Sequence, residues 1–132
     1  MGMYTEIYLS VSLKEDTPSN IIDVLKYMFS DKCDNQPKDL PKHEFFILPR
    51  WEMIGRGSSC YFVPRPTSAM WEEYYSDGWY ITSRSDLKNY SGEVEAFFDF
   101  LMPYVDAHEG EFIGYSRYEE DDTPAIILKR GE

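Results

Sequence analysis

The chain has 132 residues, of which 42% are hydrophobic and 17% aromatic, and its 24 acidic residues against 13 basic ones give a net charge of −11. This length and composition predict a single folded domain over residues 1–132 and exclude a disordered chain. The negative charge argues against nucleic acid and anionic membranes as partners, because both are bound largely through basic residues.

We expect a cytoplasmic protein. No apolar run approaches the ~20 residues of a membrane-spanning helix. The start of the chain has no basic segment followed by an apolar stretch, so no signal peptide is expected. Cys33 and Cys60 are too few and too far apart for a secreted disulfide scaffold, and we interpret them as two thiols.

The first strand and helix are the clearest elements of the N-terminal half. Residues 5–13 alternate between aliphatic and polar or tyrosine side chains, which predicts a strand with one face toward the core. Asp16-Thr17-Pro18 offers a cap and an N-terminal proline to a helix that should end near Ser30-Asp31. The apolar stripe of that helix comprises Ile21, Ile22, Leu25, Met28 and Phe29.

The middle of the chain predicts a hairpin. Polar residues 33–43 form a loop, and Phe45–Leu48 fits either a short helical turn or a packed loop. Gly55-Arg56-Gly57 then separates two short predicted strands, Arg50–Ile54 and Ser59–Val63. This glycine segment has the small residues and the base of a phosphate-binding loop, but it lacks the lysine and following helix of a Walker motif.

The C-terminal half contains one connection, one helix and three strands. Thr67–Asp77 is predicted as a connection with a helical turn near Met70–Tyr74, and Gly78–Arg84 as a strand. Strands are also predicted at Glu111–Tyr118 and Pro124–Lys129. Before these two strands, Ser91 is the expected cap of a helix that Pro103 ends or bends. Its apolar stripe comprises Val94, Phe97, Phe98, Leu101 and Val105.

The predicted order is therefore β-α-β-β-β-α-β-β. Two helices with one apolar face each must cover one face of a mostly antiparallel sheet, which gives a two-layer α+β sandwich. The two crossover units make this a variant of the ferredoxin-like sandwich.

The acidic run Glu119–Asp122 is predicted to be a hairpin turn. It joins two predicted strands, and Asp-Thr-Pro tolerates turn geometry. A calcium loop would need converging oxygens and usually a bending glycine, so we predict no metal site here. From Asp86 to Asp122 the chain holds 11 acidic and two basic residues, and this imbalance favours a basic protein partner.

No combination of residues in the sequence predicts a catalytic centre or a cofactor. His43 and His108 are the two histidines, and their spacing does not fit a zinc site. Cys60 lies in an apolar segment, and Cys33 lies beside Asp31 and Asp34, which disfavour a thiolate.

The face of the sheet opposite the helices is the candidate binding surface. Alternation along the strands assigns to it Tyr8, Tyr61, Tyr80, Arg84, Tyr115 and Arg117. Tyrosine and arginine dominate the energetics of protein interfaces. The C-terminal hairpin or the Pro64–Asp77 connection would instead bury this face if either folded over it.

Two functions remain open on this basis, and a third, an RNA-binding sheet face, ranks below both because the chain is acidic. The first is a non-enzymatic interaction or accessory protein, in one version an immunity-type protein, that binds a second copy of itself or a basic protein. The alternative is a small-molecule-binding protein or enzyme with a pocket between the sheet face and residues 64–77. In that alternative, Tyr80, Arg84, Tyr115 and Arg117 would orient the ligand and His108 would transfer protons.

Several stretches resemble a group of small, uncharacterised bacterial and phage proteins. They are "YTEIYLSVSLKEDTP", "IIDVLKYM", Ser85–Tyr90, Met102–Tyr104 and Gly114–Glu119. The resemblance covers most of the chain and implies a bacterial or phage cytosolic origin. It implies no activity and no site residue.

Overall fold

The computed structural model describes residues 3–30, 36–59, 64–72 and 78–130. In chain order the helices and strands are β1 (Thr5–Ser12), α1 (Ser19–Phe29), β2 (Thr67–Glu72), β3 (Trp79–Leu87), α2 (Glu93–Leu101), β4 (Phe112–Tyr118) and β5 (Ala125–Leu128). Short 3-10 helices span Glu44–Ile47, Trp51–Met53 and Met102–Tyr104. In this part of the chain no helix is long and apolar enough to cross a membrane.

The strands form one antiparallel sheet in the order β2-β3-β1-β4-β5. The first four strands and the two helices have the βαββαβ order of the ferredoxin-like sandwich. β5 extends that sheet beyond β4 as an edge strand. The predicted α+β class with an antiparallel sheet and two helices is therefore confirmed.

Both helices cover the same face of the sheet. The aliphatic side chains of β1 that point to this face, Ile7, Leu9 and Val11, are at most 3% exposed. The rings of Phe29 on α1 and Phe97 on α2 lie 5.8 Å apart, so the helices also contact each other across the core. The whole predicted stripe of α2 is buried as its helical spacing requires.

The predicted strand Arg50–Ile54 is wrong, because these residues form a 3-10 turn. Met53 N–H donates to Arg50 O at 3.0 Å, and Ile54 N–H donates to Trp51 O at 3.3 Å. Trp51 and Ile54 are both buried, and their spacing of three residues fits a helical turn rather than a strand. Of the second predicted hairpin strand, residues 60–63 lie outside the described residues.

The predicted connection after Pro66 is also wrong, because Thr67–Glu72 forms β2. It pairs with β3 from Thr67 opposite Arg84 to Glu72 opposite Trp79. Every residue of β2 is exposed or half-buried, so the segment carries no strong alternation of apolar and polar residues. An edge strand of this kind gives a weak sequence signal. The described residues thus contain five strands where six were predicted.

The helix caps differ from the predicted ones. Pro18 occupies the N-cap position of α1, and no side-chain hydrogen bond caps that end. Gly92, with φ of 77°, takes the N-cap position of α2 in place of Ser91. The Asn89 side-chain oxygen accepts from Val94 N–H at 2.9 Å and satisfies one of the unpaired donors of the first turn.

Candidate functional site

The strand register brings together the predicted face residues that the structure describes. Tyr8 in the central strand is directly opposite Arg84 on one side and Tyr115 on the other. Arg117 lies two residues along β4 from Tyr115, and Tyr80 lies four residues along β3 from Arg84, so both share that face. Tyr61 lies outside the described residues. We call this surface the open face, meaning the side of the sheet opposite the helices.

A buried carboxylate that the sequence analysis missed lies within the open face. Glu6 is 2% exposed, and its Oε2 accepts from Arg84 Nε and, at 3.1 Å, from the Tyr115 hydroxyl. The hydrogen bond to Glu6 raises the pKa of Arg84 above its ordinary value. Burial first, and then the Glu6 charge, raise the pKa of Tyr115. These contacts fix the orientation of both predicted residues.

Two aromatic pairs flank this ionic cluster. The rings of Tyr8 and Tyr115 are stacked with centroids 5.4 Å apart. Trp71 and Tyr80 lie 4.9 Å apart on β2 and β3, and Trp71 is 44% exposed. Trp71 was missed because its segment was not predicted as a strand. Aromatic pairs of this kind are typical of the energetically dominant residues of protein interfaces.

A row of exposed apolar side chains continues the open face onto the last hairpin. Ile126 lies opposite Tyr115, and Leu128 lies opposite Phe112. Ile126 is 57% exposed, Leu128 is 46% exposed and Phe112 is 52% exposed. A bulge between Phe112 and Gly114 shifts the register and turns Ile113 into the core. We call Phe112, Ile126 and Leu128 the apolar row.

The outer edge of β5 presents backbone groups in a defined pattern. Lys129 N–H donates to Glu111 O, and Lys129 O accepts from Gly110 N–H, both at 2.8 Å, so the backbone of Lys129 points toward β4. By alternation, the N–H and C=O groups of Ile126 and Leu128 point outward. Pro124 also falls on an outward position, where it has no N–H to donate. Among the described residues no strand pairs with this edge.

The acidic run Glu119–Asp122 is a hairpin turn, as predicted. It joins β4 to β5, and Asp121 N–H donates to Tyr118 O at 2.9 Å. Within the described ranges, no group of three or more histidine, cysteine or acidic side chains is arranged to hold a metal ion. Cys33 and Cys60 lie outside those ranges.

The part of the predicted pocket wall that the structure describes, residues 64–72, does not fold over the sheet face. Residues 67–72 belong to the sheet as β2 and do not cover it, and residues 73–77 lie outside the described residues. The loop that carries His108 begins where Asp106 N–H donates to Ser12 O. In the strand register, Arg84 lies opposite Tyr8 and Arg117 lies opposite Glu6. These two residues of β1 lie roughly 14 and 20 Å from Ser12 along the strand. His108 therefore does not assemble with these arginines.

Comparison with known proteins gave no match to any protein-family model, to any curated protein or to any solved structure. The resemblance to small bacterial and phage proteins stays a prediction.

Proposed function

We propose that this chain is a non-enzymatic interaction protein that pairs with a second copy of itself through the outer edge of β5. The observation that supports this most strongly is the apolar row beside that edge. Large hydrophobic side chains half-exposed next to unpaired strand groups are a template for strand addition. β5 contains none of the charged residues that usually protect an edge strand.

One pairing register uses every outward donor of β5. If Ile126 of one copy lies opposite Leu128 of the other, the outward N–H and C=O groups of both residues are paired in both copies. The two-fold symmetry then gives four backbone hydrogen bonds. Pro124 falls opposite Arg130 at each end of this pairing, which limits the ladder because proline donates no hydrogen bond. Ile126 and Leu128 of both copies end on one face, so the two apolar rows become continuous.

The charges at the two ends of β5 are complementary to each other. Asp121 and Asp122 precede the strand, and Arg130 follows it. Antiparallel pairing brings the Arg130 end of each copy to the acidic end of the other. Arg130 lies 3.8 Å from Asp99 of its own chain, and both side chains are 59% exposed. An exposed ion pair of this kind contributes little to stability. Arg130 can therefore leave Asp99 and contact the second copy at a low cost in free energy.

The direct test is the mass in solution, measured by light scattering on a sizing column from about 1 to about 500 µM. We expect wild type to approach twice the 15.6 kDa chain mass. Ile126→Lys should remain a monomer, because it places a charge in the apolar row. Ile47→Lys is the matched control, since Ile47 is 82% exposed on the 3-10 helix Glu44–Ile47 and not on a strand of the sheet, and it should associate like wild type.

A wild-type monomer throughout that range would overturn the proposal. The edge and the open face would then be available to a different polypeptide. The acidic block from Asp86 to Asp122 favours a basic polypeptide in that case. Equal loss of association in both lysine variants would also count against β5, because it would indicate a general charge effect.

A further inference from the structure

A second candidate site lies at the border of the open face, where β3 ends. A cavity of about 430 Å³ opens between the segment from Pro49 to Ser58 and the strand residues Tyr4, Asp86, Leu87 and Lys88. This volume is within the range of small-molecule sites. Tyr4 and Met53 supply apolar surface to it, whereas Leu87 is only 2% exposed.

Close backbone packing builds the cavity wall. Asp86 N–H donates to Gly57 O at 3.1 Å. A Cβ atom on residue 57 would lie 2.0 Å from Asp86 O, so a glycine is required for this approach. The phosphate-loop-like segment Gly55–Ser59 therefore contacts the strand end, although it does not form the predicted hairpin.

The cavity concentrates positive charge in a chain whose net charge is −11. Three basic side chains, Arg50, Arg56 and Lys88, line it together with two acidic ones, Glu52 and Asp86. Both carboxylates accept hydrogen bonds from hydroxyl groups of the protein, Glu52 from Tyr27 and Asp86 from Ser59. The three basic side chains outnumber the two acidic ones, so the lining carries a net positive charge and favours an anion.

The three basic groups are held by different contacts. Arg50 Nε donates to Lys88 O at 2.8 Å and lies 3.5 Å from the buried Glu93 carboxylate, so the guanidinium is fixed in place. Arg56 donates to Tyr27 O and lies over the Tyr27 ring at 4.2 Å. Lys88 Nζ lies 5.8 Å from the Tyr4 ring centroid. A fixed guanidinium beside an adaptable ammonium suits an anionic group.

We propose that this cavity binds a small organic anion, whose carboxylate or phosphate contacts Arg50 and Lys88 and whose apolar body packs against Tyr4 and Met53. Inorganic anions alone would leave the apolar surface uncovered. Neutral compounds would make no charge-assisted contact with Arg50 or Lys88. The combination of both surfaces defines the ligand class.

Three probes of the same ring size separate these contributions: phenyl phosphate, benzoate and benzyl alcohol. Their binding is followed by the NMR signal of the methyl group of Met53, a residue that is 40% exposed and lines the cavity. We expect saturable shifts from phenyl phosphate, from benzoate or from both, and a much weaker response to neutral benzyl alcohol. A preference between the two anions identifies the head group.

Lys88→Gln tests the charge without disturbing Arg50, whose removal would leave Glu93 buried without its charged partner. It should weaken binding of the anionic probes about tenfold, the loss expected for one charge-assisted contact. Lys38→Gln, an exposed lysine at a different surface depression, should bind like wild type. The proposal is overturned if no anion gives a saturable Met53 shift, if benzyl alcohol binds as well as the anions, or if Lys38→Gln weakens binding equally.

Discussion

Glu6 and Arg84 form an ion pair across two neighbouring strands of the open face, in which the carboxylate is 2% exposed and the guanidinium side chain is 46% exposed. The pair is asymmetric, because only its arginine reaches solvent. Removal of the arginine therefore leaves a buried charge, whereas removal of the acidic charge leaves a solvated one.

Arg84→Ala should consequently lower the free energy of unfolding by about 2 kcal/mol, less than for a fully buried pair because solvent already screens Arg84. Glu6→Gln should cost about 1 kcal/mol, since the amide keeps part of the hydrogen bonding. The informative variant is the double substitution, which should be more stable than Arg84→Ala alone. Urea unfolding measures the stability of all three variants. Additive losses in the double variant would contradict a buried Glu6 carboxylate that depends on Arg84 for its charge partner.

Tyr115 should give the protein an alkaline stability limit. Its pKa is raised above 10.0 by burial and by Glu6, so the unfolded chain loses this proton at a lower pH than the folded chain. The stability that it contributes is present below pH 10 and is lost as the pH rises through the folded-state pKa. Tyr115→Phe should therefore lose less stability than wild type between about pH 9 and about pH 11. If urea unfolding gives parallel pH profiles of stability for wild type and Tyr115→Phe, the assignment of this alkaline limit to Tyr115 is contradicted.

Gly114 should be intolerant of a side chain because β1 lies against it. A Cβ atom at this position would lie 2.1 Å from Tyr8 O. Gly114→Ala should therefore lower the free energy of unfolding by about 3 kcal/mol through overpacking. At Gly110 a Cβ atom would have no neighbour within 4 Å, but φ is 89°, so Gly110→Ala should cost only about 1 kcal/mol. Equal unfolding midpoints for the two variants would contradict the close contact between β1 and β4.

The charge pattern around β5 predicts a rescue experiment. Arg130→Asp should weaken self-association, because it brings two acidic strand ends together. Asp122→Arg combined with Arg130→Asp exchanges one charge at each end while Asp121 stays acidic, so it should recover part of the lost affinity, measured by sedimentation equilibrium. If Arg130→Asp remains as dimeric as wild type and the double variant shows no gain over it, an antiparallel pairing of β5 with itself is excluded.

Strong periodicity made most of the fold predictable. β1 and both helices carry one apolar face each, and that face is buried in the core. Alternation alone assigned Tyr8, Arg84 and Tyr115 to one face, but their placement side by side depends on the strand order, which periodicity does not determine. The hairpin turn Glu119–Asp122 followed from its turn chemistry.

The elements that were missed lacked such a pattern or had an ambiguous one. β2 is an edge strand with no buried residue, so Trp71 was not assigned to the face. Trp51 and Ile54 show helical spacing over too few residues to outweigh the hairpin suggested by the glycines. Glu6 was missed as a buried group because a carboxylate in an alternating strand is normally solvated, and its ion pair depends on strand order.

The measurement that tests the central claim most directly is amide hydrogen exchange at Ile126 and Leu128, followed by NMR at low and at high protein concentration. Their outward N–H groups should exchange fast in the dilute protein and become at least about tenfold slower at about 500 µM, because the second copy then pairs with them. Lys129, whose N–H already donates to Glu111 O, should be protected at both concentrations. Fast exchange of Ile126 and Leu128 at high concentration would contradict pairing through β5.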